Sequence, residues 1–193
     1  MSHRYIAGMV VALTLATATF AVQAEDYVID SNKAHAFIQF KISHLGYSWV
    51  LGRFNTFSGE FSYDENDPAA SQVKVDVDVR SVDTNEAERD KHLRGEHYLD
   101  TEKYPMASFV STSFKELGGG KAELTGNLTL HGVTKPITIA VNHIGHGKDP
   151  WGGYRRGFDG TTSFKLADFG ITTNLGPAAK IVHLYLVVEG IRK

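Results

Sequence analysis

Val73-Lys74-Val75-Asp76-Val77-Asp78-Val79 puts four valines on one side of an extended chain and a lysine and two aspartates on the other. Alternation with period two marks a strand that turns one face to a core and one to water. That pattern belongs to antiparallel sheets, since strands buried on both faces read as unbroken apolar runs. The rhythm spreads outward from there. Upstream, Ala36, Ile38, Phe40 and Ile42 alternate with Gln39 and Lys41, and a long, bent strand is expected over 50–63 with Phe57, Gly59, Phe61 and Tyr63 on one parity. Downstream, strands are expected at 106–117, 122–130, 133–143, 155–169 and 181–190. Turn signals separate them: Gly118-Gly119-Gly120, His131-Gly132, a loop over 145–153, and Gly176-Pro177. With a first strand at Tyr27–Asp30 this makes about eight or nine strands joined by short turns, without a βαβ rhythm. Such a set closes most easily into a barrel or a sandwich.

Between Ser81 and Pro105 the rhythm stops. The segment SVDTNEAERDKHLRGEHYLDTEKYP is dense in charge and in helix formers. A short helix is expected over 86–94, with Asn85 and Glu88 as a capping box, Asp90 and Arg94 as an i,i+4 pair and Gly95 just past its end. Leu93, Tyr98 and Leu99 would anchor it, and Pro105 returns the chain to an extended form.

Ser81-Val82-Asp83-Thr84, then Arg89-Asp90-Lys91-His92-Leu93, then Tyr104-Pro105, at this spacing resembles the YceI-like family. The likeness runs through essentially the whole chain after residue 24. It implies an all-β fold: an extended, lipocalin-like, antiparallel eight-stranded barrel with a short helical excursion at about 85–100. It also implies a periplasmic, non-catalytic protein that binds a long apolar chain, a polyisoprenoid or similar lipid, for transport, storage or a stress response.

The ends and composition agree with that setting. His3 and Arg4 precede an uncharged, mostly apolar run over 6–22, and Val22-Gln23-Ala24 fits a small-x-Ala cleavage site. Residues 1–24 are therefore expected to be a cleaved signal peptide and 25–193 a single domain. Beyond the leader no segment is apolar enough to cross a membrane as a helix, so an integral membrane protein of the helical kind is not expected. There is no cysteine, hence no disulfide or thiolate chemistry. The formal charge is −2 for 193 residues, and loss of Arg4 with the leader makes it more negative. A nucleic-acid partner is disfavoured, because phosphates demand a basic face. The oligomeric state is not encoded in any recognisable pattern; a dimer is compatible with it.

Parity names the inside of the barrel. The expected lining is Ile38, Phe40, Ile42, Val75, Val77, Leu124, Leu128, Phe164, Leu184 and Leu186. Gly59, Gly126, Gly160 and Gly190 fall on the same apolar register. A strand glycine marks a bend or close approach, or a missing side chain that leaves room. Four on one register favour a cavity, so Gly126 and Gly160 join the expected binding residues. An eight-stranded barrel either packs solid or holds one slender ligand. Burying each CH₂ contributes about 0.8 kcal/mol, so some 40 carbons would sum to roughly 30 kcal/mol. That exceeds the practical ceiling of about 18–21 kcal/mol, and transfer starts from membrane rather than water, so a reversible grip is expected.

Other chemistry is thinly supported. His92 and His97 are five apart across Gly95, and His143 and His146, three apart on a strand, should face opposite sides; neither pair suits a zinc site. No metal or cofactor is expected. A Ser81–His92–Asp90 hydrolase triad lacks a nucleophile elbow. Asp83, Arg89, Asp90 and His92 are better read as fastening the excursion over the mouth, with a polar head group as their alternative employment. The competing fold reading is a small outer-membrane β-barrel, which would turn its apolar face outward.

Overall fold

The computed structural model describes residues 24–32 and 35–193; all of the expected leader except Ala24 lies outside the described residues. The strands are β1 (Glu25–Ile29), β2 (Phe37–His44), β3 (Ser48–Phe54), β4 (Phe57–Tyr63), β5 (Gln72–Asp78), β6 (Val82–Asp83), β7 (Met106–Gly118), β8 (Lys121–Leu130), β9 (Val133–Lys148), β10 (Tyr154–Lys165) and β11 (Ile181–Arg192). One helix, α1 (Ala87–Arg94), interrupts them. Pairing runs β1-β4-β5-β7-β8-β9-β10-β11 and returns to β1, a closed antiparallel ring of eight. β11 pairs β1 at residues 190–192 and β2 at 182–187, so β1 and β2 are two tiers of one wall position. β3 and β4 repeat this beside them, with the expected bend at Asn55-Thr56. The upper tier of β2, β3 and β6 carries the excursion.

The alternating sequence explains the tube. Ile38, Phe40 and Ile42 pair across β11 with Leu186, Leu184 and Val182, all on one face. Val73, Val75 and Val77 sit opposite Phe61, Gly59 and Phe57. Lys74, Asp76 and Lys41 take the outer register. An apolar interior with a polar outer face is the inverse of a lipid-embedded barrel, which argues against the outer-membrane reading.

The interruption between the tiers is clamped by Arg155. Its guanidinium reaches Asp30 at 2.8 Å and Asp149 at 2.7 Å, and also pairs with Glu189. One side chain thus ties the β1–β2 connection to the β9–β10 loop and to β11. These bonds hold the Asp30 carboxyl below its ordinary pKa, with His35 adding to the effect and burial opposing it.

Several local expectations need correction. The N-cap of α1 is Glu86, whose carboxylate accepts from the Glu88 and Arg89 amides; Asn85 instead holds a left-handed turn at φ 63°. Asp90 is buried against Thr84 and Arg94 donates to the Val82 carbonyl, so the i,i+4 pair does not form. β9 runs on to Lys148, and β10 stops at Lys165, where a 3-10 turn (Leu166–Phe169) drops Phe169 into the core. His143 and His146 do not face opposite sides. A bulge leaves Ile144 unpaired between Gly145 and His143, flipping the parity and stacking the two rings 5.3 Å apart.

The glycines also behave differently from expectation. At Gly126 a Cβ would run into the Phe109 ring and, at 2.6 Å, the Val110 carbonyl. At Gly190 it would meet the Phe61 ring and, at 2.9 Å, Tyr27. At Gly59 the obstacle is the Lys74 carbonyl at 2.7 Å. These glycines are seats for rings and backbone of the neighbouring strand, not empty volume, and Gly126 does not line the lumen. Gly160 does line it, but it leaves no empty volume either, since a Cβ there would meet the Ile139 side chain at 2.8 Å.

Candidate ligand-binding lumen

The tube encloses two apolar chambers of about 160 Å³ each, stacked end to end. Ile38, Val77, Ala107, Leu128 and Leu184 belong to both and form a throat. The lower chamber adds Val75, Leu124, Gly160 and Leu186, the upper one Phe40, Ile42 and Phe164. Every residue expected from parity therefore lines one chamber or both, apart from Gly126. Parity also carried the signal for residues left out of that set, among them Phe109, Ile139 and Phe158, which share the inner register of their strands.

A polar floor closes the lower end. Arg156, on the inner register of β10 and 2% exposed, donates to Tyr27 Oη at 3.2 Å and to Glu65 at 2.5 Å. Its guanidinium lies 4.5 Å from the Tyr63 ring centre. Tyr27 stacks on Phe61 at 4.7 Å, and Tyr63 donates to Glu116 at 2.8 Å. Burial, reinforced by the Glu116 carboxylate, pushes the Tyr63 phenol up to about 12. His143 packs on Tyr63 and Phe158 with its Nε2 buried and unpartnered. Burial chiefly, then the charges of Arg156 and His146, lower its pKa. A buried cation is stable only when it is paired and hydrogen-bonded, and here Glu65 supplies the counter-charge while Tyr27 accepts a second bond inside the tube.

The upper end is covered by two segments. Leu93, Tyr98 and Leu99 of the excursion and Ile171 and Leu175 of the 170–180 loop face the chamber. Thr173 Oγ1 donates to the His97 carbonyl, joining the two covers across the mouth. Leu175 was hidden in the sequence because an irregular loop has no parity to read.

Three of the four candidates, Asp83, Arg89 and Asp90, fasten the excursion. Asp83 accepts from the Asn85 amide at 2.9 Å, Asn55 at 3.1 Å and Arg53 at 3.1 Å, which together hold its pKa down. Asp90 accepts from the Thr84 amide at 2.8 Å and hydroxyl at 2.6 Å, and Arg89 donates to the same hydroxyl and to the Thr84 carbonyl. His92 is exposed on α1. Ser81 donates to the Asp78 carbonyl, so Ser81, Asp90 and His92 are not assembled as a triad. Asp30, His35 and Glu189 bring ligand-type atoms within 4.8 Å of one another, but Arg155 already occupies their midst.

A family model described as the YceI-like domain matches residues 27–189. The chain belongs to the YceI-like family. A UPF0312 protein of Shewanella putrefaciens is 58% identical over 176 residues, covering 91% of this chain and 92% of the relative. One from Shewanella sp. strain MR-7 is 54% identical over the full length of both. Among solved structures, the Campylobacter jejuni YCEI protein superposes with a TM-score of 0.71 at 26% identity, covering 95% of this chain and 99% of that one. Burkholderia cenocepacia BcnA gives 0.73 at 24%, covering 83% and 98%. A Saccharophagus degradans domain described as polyisoprenoid-binding gives 0.63 at 18%, covering 86% and 98%, and so shares the YceI-like fold.

Proposed function

We propose that this YceI-like protein is a periplasmic, non-catalytic carrier whose lumen holds a long apolar chain of the polyisoprenoid or similar lipid class. The observation that carries the reading is the pair of apolar chambers joined through the Ile38–Val77–Ala107–Leu128–Leu184 throat, closed below and covered above by two loops. Slender, unbranched volume of this kind suits a chain rather than a compact solute. A folded domain that packed solid would also gain more stability than one with such voids. The description of the Saccharophagus domain supports the same ligand class. The catalytic alternative has no assembled triad to support it, and the apolar-inside register favours a water-facing barrel. Periplasmic location rests on the leader over 1–24.

The test is extraction of the natively expressed, osmotically released protein, followed by mass spectrometry of the organic phase. The expected result is a stoichiometric long-chain lipid and a mature mass lacking residues 1–24. A lumen with no co-purifying lipid, and no uptake from added polyprenol, would overturn the assignment.

A further inference from the structure

Twelve large apolar side chains are exposed among the described residues, and six of them cluster on one flank of the mouth. Leu45, Tyr47, Trp49 and Leu51 lie on the β2–β3 hairpin, and Ile181 and Tyr185 on β11 beside it. Tyr47 is 87% exposed and Leu45 55%. The hairpin tip is built against its own backbone preference. His44 accepts from the Tyr47 amide, and the two residues between them, Leu45 and Gly46, both have positive φ, at 54° and 83°. That primed turn calls for Asn-Gly; a leucine at its first position is disfavoured by roughly 1–2 kcal/mol. Strain borne at an exposed position points to a use for the side chain.

Charge separates the occupants. No aspartate or glutamate occurs from Ser31 to Gly59 or from Phe169 to Val188, in a chain with 22 of them. The flank itself carries exposed Lys41, His44 and Lys180, with Lys41 Nζ 4.8 Å from the Trp49 ring centre; the carboxylates that border it from other strands are Asp83, paired with Arg53, and Glu123 of β8. A second copy of this chain docked face to face would set these cations against themselves. An anionic bilayer complements them, and tyrosine and tryptophan with neighbouring lysines are the residues that settle at a headgroup boundary. The surface is also continuous with the lumen. Leu45 Cδ2 lies against Gly176, 3.4 Å from where a Cβ would stand, and the next residue, Leu175, faces the upper chamber.

We infer that the Leu45–Tyr47–Trp49 hairpin flank, with Lys41 and Lys180, is a docking surface for an anionic lipid bilayer, from which a chain passes over Leu45 and Leu175 into the lumen. The inference rests on the carrier reading for its purpose. Exposed Glu86, Glu88 and Glu96 of the excursion are repelled by the same surface, so the approach is tilted, hairpin first.

Flotation with vesicles of equal parts phosphatidylglycerol and phosphatidylcholine, against pure phosphatidylcholine, tests it. The wild-type chain should float with the anionic vesicles and lose that on raising salt. Tyr47→Ser with Trp49→Ser should cut partitioning at least about tenfold, and Lys41→Gln or Lys180→Gln about fivefold each. Leu45→Asn should weaken flotation while melting at the same or a higher temperature, since it relaxes the turn. Equal flotation by wild type and variants, or none by wild type, overturns the inference. So does a wild-type dimer that the Tyr47→Ser, Trp49→Ser pair converts to monomer, which would make the flank a self-contact. Flotation reads the rim whether or not the lumen is loaded. A lipid-free lumen therefore defeats the carrier reading alone, and a loaded protein that does not float defeats the docking surface alone.

Discussion

Gly126→Ala adds one methyl group where β8 passes the Phe109 ring and the Val110 carbonyl of β7. The new Cβ would stand 2.7 Å from Phe109 Cε2 and 2.6 Å from the Val110 oxygen. Carbon contacts are most favourable at about 3.5–4.0 Å, so ring and ladder must together yield roughly 1 Å. The ring lines the lower chamber and has that space to yield into; the carbonyl belongs to a strand paired on both sides and resists. Overpacking of this kind costs about 1–3 kcal/mol, and the stiffer unfolded chain returns about 0.4–1 kcal/mol. A net loss of about 1–2 kcal/mol lowers the melting temperature of a domain this size by about 2–8 °C. Calorimetric melts of the purified protein measure it, alongside lipid content, which should fall as the ring invades the chamber. In a Phe109→Leu background the penalty should shrink, because one of the two obstacles is gone. An unchanged or raised melting temperature for Gly126→Ala would refute the argument and restore the reading of Gly126 as open lumen.

Ala107→Phe places a ring in the throat shared by both chambers; the variant should stay folded by circular dichroism and yield at least about tenfold less extracted lipid, at a cost within the usual 1–3 kcal/mol for overpacking. Asp90→Ala leaves the buried Thr84 amide and hydroxyl without their acceptor, at about 1–3 kcal/mol, so hydrogen exchange should quicken across 83–104 before it does elsewhere in the barrel. His143, held neutral mainly by burial, has a folded pKa below its unfolded value of about 6.5. Its contribution is complete above pH 6.5 and is lost as pH falls below that. His143→Phe should therefore flatten the decline in melting temperature between about pH 7 and 5, and parallel slopes in variant and wild type would count against it.

Parity in the strands was enough to name the tube and most of its lining, because one face of every strand must be apolar and side chains alternate without exception while pairing is regular. It failed where regularity failed. The bulge at Ile144 reverses the parity of His146, and no local residue announces it. A glycine on the inner register is compatible with a gap or with a partner's ring, and only the partner's position decides; Phe109 lies seventeen residues upstream of Gly126 on another strand. The charged residues of the excursion were legible as fasteners, but the cap was shifted by one residue, because Asn85 tolerates a left-handed turn and Glu86 then opens the helix. The cover over the mouth was only half legible. Leu93, Tyr98 and Leu99 stand out in a charged segment, whereas Leu175 and Thr173 sit in a loop that offers no period.

The plug of Tyr27, Tyr63 and Arg156 makes the tube a blind alley, and a blind alley imposes an order of events. On the proposed carrier reading, a chain would enter end first and leave by the way it came, so a competitor would not push it through, and excess free lipid should not hasten its departure. Depth also becomes a gauge. A guest with its tip against the floor would project at the mouth by its own surplus length, and what lay outside, whether head group or extra units, would be presented beside the loops joined through Thr173 and His97.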